Sequence, residues 1–175
     1  MIRKYDVGEV MITEKQIFDR AAEIGKAITK EFEGQEVLVI GILKGAVLWL
    51  ADLIKQIELD VHMDFIAVSS YGDSTKSTGA VKIVKDLDIP IEGKNVIIIE
   101  DIVDSGVTLN YLKNYLLAME PKTLRICTLL DKPSGRQIEI DVDYIGFTVE
   151  DKFIVGYGLD YNQKYRNLPY ITCLV

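Results

Sequence analysis

The stretch Asn95-Val96-Ile97-Ile98-Ile99-Glu100-Asp101-Ile102-Val103-Asp104-Ser105-Gly106-Val107-Thr108-Leu109 decides how this chain folds. Val96 to Ile99 is an unbroken apolar run of strand length, the pattern of a parallel strand covered on both faces. It ends in two carboxylates, Glu100 and Asp101. A third, Asp104, opens a turn containing Ser105, Gly106 and Thr108, and the spacing predicts a helix from Val107 to Met119. A turn feeding a helix N-terminus offers backbone N–H groups as a cradle for a phosphate. The Ser105 and Thr108 hydroxyls add donors, and Gly106 lets the backbone come close. Yet residues 96–109 hold three acids and no base, which would repel a bare phosphate. The conflict resolves if the carboxylates face sugar hydroxyls or a divalent cation while the phosphate sits on the amides. That description suits a ribose phosphate bound with magnesium.

Outward from this stretch the pattern repeats. Val37 to Leu43 is a second apolar run followed by a helix pattern from Ala46 to Ile57. Val61 to Val68, Val81 to Val84, Leu124 to Leu130 and Tyr144 to Val149 read as further strands. Near the N-terminus, Thr13-Glu14-Lys15-Gln16 has the form of a capping box. Ile17, Ala21, Ile24, Ile28 and Phe32 follow at helical spacing, up to Gly34. The tail from Leu168 to Val175 reads as extended. Strands alternating with helices give an α/β fold with a mostly parallel central sheet. Ligands of such sheets bind beyond the carboxyl ends of the strands. The loop at 69–80 is polar, rich in Ser, Thr and Gly, and without periodicity, as lid loops are.

Composition narrows the function. The 175 residues form one domain. Apolar residues make up 49% of them, enough for a core, and the net charge is −7. That balance argues against a nucleic-acid or membrane partner, both of which need a basic footprint. No apolar run approaches the roughly 18 residues of a membrane span, and the first residues lack a signal-peptide stretch, so a cytoplasmic location is expected. Cys127 and Cys173 sit in apolar segments outside any CxxC pair and are expected as buried free thiols. His62, the only histidine, reads as a structural or surface residue. There is no phosphate-binding GxxxxGK[ST] element.

Three further segments carry polar residues at strand ends. They are Gly41-Ile42-Leu43-Lys44-Gly45-Ala46, Leu129-Leu130-Asp131-Lys132-Pro133-Ser134-Gly135-Arg136, and the long run from Val149 through Asp151-Lys152-Phe153-Ile154 and Gly156-Tyr157-Gly158-Leu159-Asp160-Tyr161 to Tyr165-Arg166-Asn167-Leu168-Pro169-Tyr170. Residues 96–109 resemble the 5-phosphoribosyl 1-pyrophosphate (PRPP) motif of the type I phosphoribosyltransferases. Taken together, the four segments resemble the hypoxanthine-guanine phosphoribosyltransferases of bacterial type, from about Val10 to Ile171. The last segment is the one specific for the 6-oxopurine branch. Ala46 stands where the family often has a second glycine.

The resemblance implies a type I phosphoribosyltransferase fold, with a small hood from residues 1–12 and 150–175 over the sheet. It implies transfer of the phosphoribosyl group from PRPP to N9 of hypoxanthine or guanine, with Mg²⁺ as cofactor. Asp104 would be the general base near N7 of the purine. Lys44, Gly45 and Arg166 would meet the pyrophosphate, and the Leu43–Lys44 peptide would be cis. Glu100 and Asp101 would hold the ribose hydroxyls or metal, and Asp160 a second metal. Ser105, Gly106, Val107 and Thr108 would cradle the 5′-phosphate. Lys132 would donate to the 6-oxo group, Phe153 would stack on the base, and the backbone near Ile154 would read its far edge. Ser70 and Tyr71 would belong to a closing lid. Relatives form dimers or tetramers, so a homo-oligomer is expected. A PRPP-binding regulator of the same fold and a xanthine-preferring transferase remain as alternatives.

Overall fold

The apolar runs are continuous because both of their faces are covered. In the computed structural model, which describes residues 7–70 and 81–174, β2 (Val37–Leu43) and β5 (Asn95–Val103) lie side by side in parallel. Val37, Val39, Ile97 and Ile99 point into one core with Trp49, Leu50 and Leu53. Leu38, Ile40, Val96 and Ile98 point into the other with Leu109, Leu112 and Leu116. Successive strand residues alternate faces, so a strand buried on both sides has no polar positions to show.

These strands sit at the middle of a six-stranded sheet ordered β4-β3-β2-β5-β6-β7. Its other members are β3 (Val61–Ser70), β4 (Val81–Lys85), β6 (Thr123–Asp131) and β7 (Tyr144–Thr148). All adjacent pairs are parallel except β3 with β4. Helices α1 (Glu14–Glu31) and α2 (Val47–Ile54) cover one face, and α3 (Val107–Leu117) the other. Thr13 caps α1 through the expected box with Gln16. The mostly parallel sheet flanked by helices matches the expected fold.

A second, three-stranded sheet joins β1 (Val7–Ile12), β9 (Ile171–Leu174) and β8 (Ile154–Val155). The buried Thr172 hydroxyl bonds the carbonyls of Gly8 and Glu9, at 3.0 and 2.9 Å. Ile12, Ile154, Tyr157 and Ile171 pack into the α1–α2 core, so this hood rests on that side of the sheet.

Several boundaries differ from the sequence reading, each for a local reason. Strand β5 runs on through Glu100 and Asp101, because Ile102 and Val103 still pair with Leu130 and Asp131. Helix α2 stops at Ile54, where the chain tightens into the bonds Gln56 N–H to Leu53 and Ile57 N–H to Ile54. Helix α3 stops at Leu117, and Glu120 beyond it adopts φ +56°, a left-handed turn that no helix continues. Cys127 is a buried free thiol as expected, but Cys173 is only half-buried, because it lies in the thin hood sheet. His62 is exposed beside Glu36. Among the described residues, no helix is long and apolar enough to cross a membrane.

Candidate active site

Strands β2, β3, β5, β6 and β7 end on the same side, and each hands the chain to one of the segments singled out in the sequence. After β5 comes the turn 104–106. Gly106 has φ +80° and begins α3 with no side chain of its own to cap the helix, and the Val107 N–H reaches only the Ser105 hydroxyl, at a long 3.4 Å. Among the described residues no side chain meets the other first-turn amides, which leaves them to another partner. A cavity of about 180 Å³ opens here, lined by Glu100, Asp104, Ser105, Gly106 and Thr108 among others. A Cβ at Gly106 would fall 2.4 Å from the Ile138 carbonyl, so both the turn and its neighbour demand glycine.

The segment after β6 wraps this turn. The N–H groups of Gln137 and Ile138 donate to the Ser105 carbonyl at 2.9 and 3.1 Å. Arg136 donates to the Asp104 carbonyl at 3.1 Å and pairs with Asp131. Lys132 Nζ lies 2.8 Å from Asp104 Oδ2 and 3.5 Å from Asp151 Oδ1. The hydrogen bond to Asp104 raises the Lys132 pKa, so its cationic form is reinforced. A Cβ at Gly135 would sit 1.7 Å from Asp104 Oδ1, so glycine there makes room for the carboxylate. The proposed base and the proposed oxo-group donor are thus brought together. Phe153 stands exposed nearby in sequence to Asp151, edge-on to Tyr161 with ring centroids 5.4 Å apart. Ile154 is buried, its backbone paired with Cys173.

Glu100 and Asp101 form the electrostatic centre. Glu100 Oε1 accepts from the Asp101 N–H at 2.9 Å, and Asp101 Oδ1 from the Ile102 N–H at 2.7 Å. Burial, and then the Asp101 charge, push the Glu100 carboxyl well above its ordinary range. Burial also raises Asp101, against the pull of hydrogen bonds and of the Arg166 charge. Two adjacent desolvated carboxylates suit a hard divalent cation, which would relieve both the repulsion and the burial cost.

The Lys44 loop closes against this centre. The Leu43–Lys44 peptide is cis. A Cβ at Gly45 would lie 1.5 Å from Asp101 Oδ2, and one at Gly158 would lie 2.1 Å from the Gly45 carbonyl. Backbone therefore stacks on carboxylate and then on backbone, with room only for glycine. Ala46 is tolerated at the next position because it is right-handed, with φ −74°. Arg166 donates to the Gly158 carbonyl at 2.7 Å and pairs with Asp160 at 2.8 Å. The other Asp160 oxygen accepts from the Gln163 N–H. Asp160 is thus grouped with Arg166. The β3 end reaches Ser70, while Tyr71 and loop residues 71–80 fall outside the described residues.

Asp131, Gly135, Arg136 and Asp151 also join the site; all lie in segments at strand ends, but, apart from the Asp131–Arg136 pair, their partners are far off in the chain and no local pattern marks them. A larger cavity, about 270 Å³, opens at the amino ends of β2 and β5. There Lys122 and Asn95 donate to Gln35, and Thr123 to Asn95. These groups answer one another, which marks that end as architecture.

Residues 11–162 match the model of the phosphoribosyl transferase domain. The chain is 52% identical to the hypoxanthine-guanine phosphoribosyltransferase of Bacillus subtilis over 171 residues, 98% of this chain and 95% of that protein. It is 48% identical to the Escherichia coli hypoxanthine phosphoribosyltransferase, covering 93% of each. A crystal structure of a Bacillus anthracis hypoxanthine-guanine phosphoribosyltransferase superposes with a TM-score of 0.92 at 48% identity, covering 97% of this chain and 99% of that one. Fold, site segments and kinship agree: the chain belongs to the phosphoribosyl transferase family, in which bacterial hypoxanthine-guanine phosphoribosyltransferases are its near relatives.

Proposed function

We propose that this chain makes purine nucleotides by salvage, transferring the 5-phosphoribosyl group of PRPP to N9 of hypoxanthine or guanine. The products are IMP or GMP and pyrophosphate. The observation that carries this reading is the Lys132–Asp104 pair, 2.8 Å apart beside the α3 cradle. A 6-oxopurine presents O6, an acceptor, next to N7, which can carry a proton. A lysine and a carboxylate side by side match that edge, whereas adenine offers an amine where Lys132 needs an acceptor.

In this reading the 5′-phosphate rests on Ser105, Gly106, Val107 and Thr108, and the sugar lies over Glu100 and Asp101. N9 attacks C1 of the ribose as the bond to pyrophosphate breaks, through a transition state with oxocarbenium character. Asp104 takes the purine proton at N7. Lys44, the Gly45 amide and Arg166 meet the negative charge that grows on the leaving pyrophosphate. Phe153 covers the base, and the backbone at Ile154 meets its 2-position. Ser70 and Tyr71 are assigned to a lid on the resemblance alone.

Mg²⁺, when bound, would neutralise pyrophosphate charge at the Glu100–Asp101 pair. Asp160 would contact a second ion through water, since its oxygens already serve Arg166 and Gln163. A cytoplasmic homo-oligomer, dimer or tetramer, completes the reading; exposed apolar side chains such as Phe18, Leu48 and Met63 support it. Purified protein, Mg²⁺ and PRPP, mixed in turn with hypoxanthine, guanine, xanthine and adenine, test the assignment. Turnover of hypoxanthine or guanine is expected. No turnover of any 6-oxopurine would overturn it, and PRPP binding without turnover would point to a regulator.

A further inference from the structure

Gly156-Tyr157-Gly158 has no part in the reaction just described, yet three successive residues there hold positive φ. The φ angles are +99°, +48° and +98° in order. Left-handed geometry is ordinary for the glycines, but a tyrosine there must be held by its surroundings. Its N–H donates to the Leu168 carbonyl at 2.9 Å, and its ring is buried in the α1–α2 core. Its hydroxyl donates to the Asp52 carboxylate of α2. Asp52 also pairs with Lys55 at 2.5 Å. Burial, acting upward on Asp52, is outweighed by hydrogen bonds from Lys55 and Tyr157, which hold the carboxyl below its ordinary range. The phenol is pushed up by burial and then by Asp52, so it stays protonated and donates.

The next residue ties the same turn to the site. Gly158 N–H donates to the Arg166 carbonyl at 3.0 Å, and its own carbonyl takes the Arg166 guanidinium at 2.7 Å. Its Cα rests on the Gly45 carbonyl. Helix α2 begins at Val47, directly after Gly45 and Ala46. Besides the packing of the Tyr157 ring in the core, the hood turn meets the unit of Lys44 loop plus α2 through Gly158 on Gly45 and through the Tyr157 hydroxyl on Asp52. The first is a contact between glycine backbones, with no side chain to hold it. The second is a directional bond to a carboxylate and adds an orientation that ring packing alone leaves free.

We propose that Tyr157 is a positioning residue for the pyrophosphate end of the site. Its bond to Asp52 fixes the 156–158 turn on α2 and so sets the spacing between Arg166 and the Lys44–Gly45 loop. The inference rests on reading those two elements as the pyrophosphate site. Tyr157→Phe keeps the ring and removes the donor. With Mg²⁺ present, calorimetric titration with pyrophosphate should show affinity five- to tenfold weaker. The KM for PRPP should rise by a similar factor, while the KM for the purine stays within twofold and kcat within threefold. Asp52→Ala, which removes the acceptor, should reproduce this pattern, and the double variant should be no worse than either single one. Pyrophosphate affinity within twofold of the parent would overturn the proposal. So would a parallel loss of purine affinity, the mark of general loosening. If Tyr157→Phe does not fold, Asp52→Ala carries the same criteria. Absence of parental turnover with any 6-oxopurine would sink the assigned reaction, while the pyrophosphate titration would still decide this point.

Discussion

Two carboxylates lie almost wholly buried in the central sheet, and their surroundings are opposite. Asp64 on β3 is 5% exposed and Glu100 on β5 is 8% exposed. Asp64 accepts N–H bonds from Phe65, Asp88 and Ile89 at 2.7, 2.7 and 2.9 Å, with Lys85 3.6 Å away. Burial alone would raise its pKa, but these donors outweigh it and hold the carboxyl low. Glu100 accepts from the Asp101 N–H, and the group beside it is a second buried acid. It is driven well upward. Both are shielded from solvent, but Glu100 lies deeper in the protein and bears the larger cost of burial, and the partners differ as well. A buried charge with a full set of donors locks two segments together, here β3 to the chain at 88–89. A buried charge left short is costly unless a ligand completes it. The contrast divides the molecule into a part that holds and a part that waits.

The sharpest test takes a member of the waiting part. Asp104→Ala should lower turnover by about a hundredfold or more, the scale of a lost general base. The melting temperature should stay close to the parent, because the Asp104 side chain is 49% exposed and, among the described residues, its carboxylate pairs with Lys132 alone. Near-normal turnover would remove its assigned role, and a large loss of stability would move it to the holding part.

Asp64→Asn should do the reverse. The variant keeps one acceptor oxygen and turns an amide toward backbone donors, so stability should fall by about 1–3 kcal/mol. Turnover by the folded fraction should be unchanged. The sign with pH follows from a lowered folded pKa. The charged Asp64 stabilises above the ordinary aspartate range, and that contribution is lost as pH falls through the depressed folded value. Urea unfolding should therefore show the full gap at pH 7 and a shrinking gap in acid. An unchanged gap at low pH would mean that shape, not charge, holds this corner.

Lys132→Ala sits between these cases. Its Nζ touches Asp104 and Asp151, so the site loses a donor to the purine edge while the phosphate cradle is untouched. The KM for the oxopurine should rise about tenfold, on the scale of one hydrogen bond from a charged donor. PRPP affinity should stay within about twofold of the parent, since the 5′-phosphate is assigned to residues 105–108 and Lys132 pairs with none of their side chains. Loss of PRPP binding would mean that the purine pocket is misassigned.

How much of this division shows in the sequence depends on distance along the chain. Strands covered on both faces announce themselves as apolar runs, and the capping box at Thr13 and Gln16 spans three residues. The cradle is legible because its strand, acids, turn and helix follow one another without a break. The Tyr157–Asp52 bond joins residues 105 apart, and no local period encodes it. The Arg136 contacts to β5 and its turn, 32 and 33 residues back, are hidden for the same reason. Asp64 looks like any acid on a half-buried strand until the chain at 88–89 is folded onto it. Glu100 was legible only because its neighbour is also an acid and no base lies near.

The smallest effect is the most telling, because the contrast predicts a gain. Glu100→Gln keeps shape and a polar group while removing a charge that the fold does not neutralise. For an acid whose folded pKa is raised, the sign is opposite to that of Asp64. The contribution to stability is fully present below the ordinary glutamate range and is lost as pH rises through the raised folded value. At neutral pH and above, the parent therefore bears a cost that the glutamine variant escapes. Its melting temperature should be equal to the parent's near pH 4 and a few degrees higher at pH 8, on the scale expected when a site residue is traded for stability. Millimolar Mg²⁺ with pyrophosphate should then narrow the difference, by stabilising the parent more than the variant. If Glu100→Gln is less stable than the parent at pH 8, Glu100 belongs with Asp64 among the residues that hold the sheet, and the division drawn between the two carboxylates fails at the point where it was made.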